Sequence, residues 1–225
     1  MMSMRILTGA IFVFASLTAS ANAEVVVSSK IDTEGGVIGN IIQLVLNAND
    51  IETTDRIQLG ATPVVRQAIT AGEIDIYPEY TGNGAFFFDK ADDAGWKDAA
   101  KGYEMVKKLD YEANKIVWLS PAPANNTWGM AMRKDVAEQN KLVTLTDFGS
   151  YVSGGGEVVL AASSEFINSA GALPAFQEAY SFTLSPDQLI TLSGGDTAAT
   201  IAAAANQTNG ANTAMVYGTD GGIAA

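Results

Sequence analysis

The spacing of apolar residues changes along the chain, and the first element it predicts is a strand. Residues 25–28 form a β-branched run without alternation, the pattern of a strand buried on both faces of a parallel sheet. After a polar stretch, Val37, Ile38, Ile41, Ile42 and Val45 recur at spacings of three and four. They predict a helix with that face buried, capped by Asp32 or Thr33. A second strand is predicted over residues 56–59. A helix follows, with Thr62 as cap, Pro63 in its favoured first position, Val64, Val65, Ala68 and Ile69 inward, and Gly72 as its stop. The third strand, residues 74–77, must end at Pro78, which has no N–H to give to a ladder. Tyr80 is thereby left at the C-terminal lip. Strands alternating with helices on short connections predict a parallel sheet with right-handed crossovers. In such sheets the lip is where ligands sit.

Further on, a helix over about residues 92–114 can turn Trp96, Tyr103, Val106 and Leu109 inward while Lys97, Lys101, Lys107 and Lys108 stay wet. Phe86, Phe87 and Phe88 before it are expected in the core, given the area aromatics bury. Residues 116–119 predict a strand, broken by Pro121 and Pro123. From there to Trp128 the chain is expected to cross between two halves. Residues 129–132 resume the apolar pattern. The second half then predicts a helix at 145–151, a strand at 157–162 and a helical region at 163–180 interrupted near Pro174. A strand at 189–192, an alanine-rich helix up to residue 206 and a last strand at 214–217 complete it. The glycine clusters at 154–156 and 194–195 lack the lysine and hydroxyl of a phosphate-binding loop and read as turns.

Composition narrows the function. Arg5, the apolar residues 6–17 and Ala21-Asn22-Ala23 have the order of a secretory leader ending at residue 23. The remainder is expected to be soluble outside the cytoplasm, with no stretch suited to membrane insertion. The absence of cysteine excludes disulfides, thiolate metal sites, cysteine nucleophiles and a lipid-modified N-terminal cysteine, and fits a free periplasmic protein. There is no histidine either, so an enzyme would depend on carboxylates, lysine or tyrosine, with Glu79 and Asp75 as its candidates. A formal net charge of −12 makes nucleic acid and anionic membranes poor partners and is compatible with a cationic or zwitterionic ligand.

Four segments carry a resemblance: Ser29-Lys30-Ile31-Asp32-Thr33-Glu34-Gly35, Asp75-Ile76-Tyr77-Pro78-Glu79-Tyr80-Thr81-Gly82, Asn125-Asn126-Thr127-Trp128 and Val216-Tyr217-Gly218-Thr219-Asp220-Gly221. In this order they resemble the substrate-binding proteins of osmoprotectant ABC importers, the glycine betaine, choline and carnitine family. The resemblance runs from about residue 25 to the end. It implies an α/β type II periplasmic-binding-protein (Venus flytrap) fold, two lobes about a central cleft that closes by a hinge. It implies a quaternary-ammonium ligand in an aromatic cage, since a trimethylammonium cannot donate hydrogen bonds and π-faces attract it. The family's cage positions fall on Tyr80, Trp128 and Tyr217, with the Asn126 backbone nearby; its carboxylate-binding positions fall on Lys30 and Asn83. A membrane permease as partner, a periplasmic location, a monomer and no cofactor or metal are also implied.

Against that family, the sequence departs in three ways. A carboxylate-clamping arginine often present would fall near Ser169, where residues 164–170 hold no basic side chain. A tyrosine that some relatives supply is missing from residues 202–205. Family chains also continue past the last tyrosine to complete the first lobe, whereas this sequence stops at Ala225. The expected division is a leader at 1–23, a first lobe at 24–127, a second at 128–217 and the start of the return crossover at 218–225. With its C-terminal part missing, the first lobe is expected to leave apolar surface and a sheet edge open. Three other readings stay open: a binding protein for a different small polar solute, a secreted carboxylate-dependent enzyme, and a receptor module that senses solute without transport.

Overall fold

A computed structural model describes residues 24–193 and 195–224; the expected leader and Gly194 lie outside them. The first half opens with β1 (Val25–Lys30), α1 (Thr33–Asn47), β2 (Thr53–Gly60) and α2 (Thr62–Thr70). β1 and β2 pair in parallel, Val25 opposite Thr53 and Ser28 opposite Arg56. On the other side of β1, the strand expected at 74–77 is reduced to a single bridge, Val27 opposite Ile76. Asp75 forestalls a longer ladder, because its carboxylate rather than a backbone carbonyl takes the Val26 N–H, at 2.8 Å. Pro78 then prevents resumption.

α1 is turned differently from the expectation. Gly35, Gly36 and Gly39 are its buried residues, while Val37, Ile41 and Val45 are more than half exposed. The reason is close approach: a Cβ on Gly39 would stand 3.2 Å from Ser29 Cβ and 3.3 Å from Ile57 Cγ1. The glycine edge lets the helix axis settle onto the β1–β2 pair, and the branched side chains point away. α2 holds Pro63 in its first turn and buries Val65 and Ala68, but Val64 faces outward and Ala61, not Thr62, is the cap residue. The buried centre of this half is small, consisting of Val65, Ala68 and Ile74 with Val26, Leu59, Ile69 and Tyr77 against them.

After a 3-10 turn at Thr81–Asn83 come α3 (Gly84–Phe87) and α4 (Ala99–Asn114). α4 buries Val106 and Asp110, and its lysines are exposed as expected. None of the three phenylalanines is fully buried. Phe86 is exposed, and the Arg66 guanidinium lies 4.4 Å from the Phe87 ring centroid and 5.8 Å from that of Phe88. The strand expected at 116–119 has no ladder partner among the described residues, and Val117 and Leu119 are exposed.

The second half comprises β3 (Trp128–Met132), α5 (Lys134–Gln139), α6 (Leu145–Ser153), β4 (Leu160–Ser163), α7 (Ser164–Asn168), α8 (Leu173–Tyr180), β5 (Leu189–Leu192), α9 (Thr197–Ala205) and β6 (Thr213–Tyr217). Its sheet runs β3-β6-β4-β5, with β3 antiparallel to β6 and the others parallel. Pro174 sits in the first turn of α8, so the interruption falls before it, at 169–172. Phe148, Leu160, Phe166, Leu173, Phe182 and Met215 fill the larger core, and Trp128 and Tyr217 pack against its edge.

Candidate functional site

The β3–β6 register decides the first feature. Trp128 is paired opposite Tyr217, at the start of one strand and the end of the other. Their rings stack with centroids 6.5 Å apart and planes at 21°, and Phe166 braces Trp128 edge-on at 5.9 Å. At that spacing no quaternary ammonium fits between the two rings. The Trp128 indole N–H is buried without a hydrogen-bond partner among the described residues.

Lys30, Tyr80 and Asn83 come together around Glu79. Lys30 Nζ donates to Glu79 Oε1, and both side chains are almost completely buried. The same oxygen accepts from Asn83 Nδ2 at 2.8 Å and from the Tyr80 N–H at 2.7 Å, and Oε2 accepts from the Tyr77 hydroxyl at 2.9 Å. The resemblance assigned Lys30, together with Asn83, to the carboxylate of a ligand. The lysine charge is met by Glu79, and Asp32 takes the Gly35 N–H of α1 at 2.7 Å. Lys30 also supports Tyr80, with Nζ 4.7 Å from its ring centroid. Glu79, with four donors on it, is a structural anchor, as is Asp75 on the Val26 N–H.

Tyr80 does not end a strand but lies in the extended segment beyond the Ile76 bridge. Its hydroxyl donates to Glu34 Oε1 at 2.8 Å, and Asn126 Nδ2 donates to the same oxygen at 2.9 Å. Burial pushes the Tyr80 phenol far above its ordinary pKa, helped by the Asp32 charge and the Glu34 bond against the opposing Asn126 contact. Burial does the same to Tyr217, with the charges of Asp32, Glu165 and Asp220 adding to it. Both stay neutral, with carboxylates grouped around them. Asp32, Glu34 and Thr219 did not figure among the expected site residues; Asp32 and Glu34 stood in view as the two acidic residues of the first motif.

Beside these groups lies an open cavity of about 820 Å³ between α2 and α3 on one side and α7 on the other. Asn83, Arg66, Phe86, Glu165 and Ser169 line it, whereas Tyr80, Trp128 and Tyr217 do not. No basic residue accompanies Ser169 on α7, and Arg66 across the cavity is engaged by Asp110 at 2.6 and 2.8 Å.

Two α/β halves joined by crossings, with aromatics and carboxylates gathered where they meet, have the make-up of a solute-binding domain, and the sequence places the chain in a family of them. Residues 23–225 match the model of the substrate-binding domain of the ABC-type glycine betaine transport system (OpuAC), and the chain belongs to that family. It is 62% identical over 210 residues to the glycine betaine-binding protein YehZ of Escherichia coli K12, covering 93% of this chain and 69% of the relative. The solved apo YehZ structure matches with a TM-score of 0.59 over 90% of this chain and 72% of that one. The fold also matches the crystal structure of a glycine betaine/carnitine/choline ABC transporter protein, at a TM-score of 0.61 over 89% of this chain and 71% of that one, with 19% identity. These relatives are named for substrate binding and transport. Among the described residues no helix is long and apolar enough to cross a membrane.

Proposed function

We propose that this protein is the periplasmic solute-receiving component of an ABC importer, and that it binds a quaternary-ammonium osmoprotectant such as glycine betaine between lobes at 24–127 and 128–217. Tyr80, Trp128 and Tyr217 form the aromatic cage for the ammonium group, with the Asn126 backbone beside them. Asn83, on the cavity wall, and Lys30, which also holds the Tyr80 segment through Glu79, serve the carboxylate end of the ligand. No chemistry is performed; closure of the lobes about residues 121–128 and 218–222 captures the solute for a membrane permease.

The observation that carries this reading is the stacked Trp128–Tyr217 pair bordered by Asp32, Glu165 and Asp220. A fixed positive charge without hydrogen-bond donors is stabilised by π-faces at close range and by carboxylates at longer range. The names of the relatives support glycine betaine as the ligand. Calorimetry of the full-length mature protein against glycine betaine, choline, carnitine, proline betaine and amino acids is the test. Binding confined to ligands without a quaternary nitrogen would overturn it.

A further inference from the structure

Glu34 projects from the first turn of α1, and three distant parts of the chain converge on its carboxylate. Besides the bonds from Tyr80 and Asn126 to Oε1, the Thr219 hydroxyl donates to Oε2. These partners lie 46, 92 and 185 residues away in sequence. The Thr219 hydroxyl is also 3.0 Å from Asn126 Oδ1. Asn126 and Thr219 belong to the two crossings between halves, which are themselves joined by the Gly218 N–H to Thr127 O at 2.9 Å. A Cβ on Gly218 would come within 3.1 Å of Asn125 O, so the two crossings run in close contact.

We propose that Glu34 is a positioning residue of the binding cleft: its carboxylate clasps Tyr80 to both crossings, fixing the tyrosine relative to the Trp128–Tyr217 surface. The consequence for ligand affinity rests on the cage reading above; the clasp itself does not. A carboxylate suits the task because it only accepts, and its two oxygens offer sites for three donors at once. Bonds to a charged acceptor are also shorter and stronger than neutral ones. Tyr80 is then held at both ends, by its N–H on Glu79 and its hydroxyl on Glu34. Glutamine can preserve the arrangement without the charge. Its oxygen serves Tyr80 and Asn126, its amide donates to Thr219 Oγ, and the Thr219 proton turns to Asn126 Oδ1.

Glu34→Ala and Glu34→Gln in the full-length protein separate this role from simple attraction of a cation. Hydrogen exchange without ligand is followed by mass spectrometry, and affinity for glycine betaine and for choline by calorimetry. Glu34→Ala is expected to speed exchange selectively at residues 78–83, 124–128 and 217–221, and to weaken binding roughly tenfold, the scale of a lost hydrogen bond to a charged group. Glu34→Gln is expected to return both to near wild type. Exchange that is unchanged, or faster throughout the molecule, overturns the clasp. So does a Glu34→Gln variant that binds as weakly as Glu34→Ala, since the charge and not the bonding would then be what matters. If the wild-type protein binds no quaternary ammonium, the cage reading fails and the exchange data alone decide on Glu34.

Discussion

Lys30 and Arg66 are each matched by a buried carboxylate, Glu79 for the first and Asp110 for the second. Burial alone would raise the Asp110 pKa, but hydrogen bonds from Arg66, Trp118 and Asn114 hold it below the ordinary carboxylate value. A depressed carboxylate contributes stability that is complete above its unfolded pKa, about 4, and is lost as pH falls through the lower folded value. Asp110→Asn strands the half of the pair that Arg66 represents, and is expected to cost about 3 kcal/mol at neutral pH. The difference from wild type should shrink below about pH 4, which urea midpoints across that range will show. Trp128 is the residue on which the proposed cage most depends, since it supplies one ring and orders a second. Trp128→Ala is expected to weaken quaternary-ammonium binding by about 1–2 kcal/mol or more; unchanged calorimetric affinity for every such ligand would sink the cage. Neither Lys30's pairing nor Asp110's was legible in the sequence, because each partner is supplied from a distant segment, 49 and 44 residues away.

At the scale of elements, α1 shows where periodicity misleads. Its spacing identified a helix, and Asp32, one of its two cap candidates, is the cap, but the apolar stripe was assigned to the interior because large apolar side chains usually go there. The glycines at 35, 36 and 39 offered an alternative, a helix drawn close to the sheet, that hydrophobicity scoring cannot register. The two faces should answer differently to substitution. Gly39→Leu forces side-chain volume into the contact with Ser29 and Ile57 and is expected to cost about 1–3 kcal/mol. Leu44→Gln, on a side chain 68% exposed, should change stability by no more than about 0.5 kcal/mol. Urea unfolding of both variants distinguishes this orientation from the one the pattern suggested; a large loss for Leu44→Gln would contradict it. Residues 116–119 give the same lesson for strands. Their apolar run was plain, but a strand exists only through a neighbour's hydrogen bonds, and none is present among the described residues.

For the molecule as a whole, the net charge of −12 and the carboxylates near the tyrosines set a field that favours cations. Raising ionic strength from about 0.01 to 0.15 M shortens the screening length from about 30 to about 8 Å. Binding of choline, a net cation, is expected to weaken more over that range than binding of zwitterionic glycine betaine. Equal salt dependence for the two would argue against a field acting on the ligand. Local signals sufficed for much of this protein: the β1 run, Asp32 as one of two candidate caps of α1, Pro63 in the first turn of α2, and the four motifs that carried the family resemblance. Those features depend on residues within a few positions of one another, so one-dimensional order contains them. The stack of Trp128 on Tyr217, the anchoring of Lys30 by Glu79 and the convergence of Tyr80, Asn126 and Thr219 on Glu34 were settled only by folding. Each requires strand pairing or chain crossing to bring remote side chains within hydrogen-bonding or van der Waals distance. Nothing in the spacing of residues along a chain measures that distance.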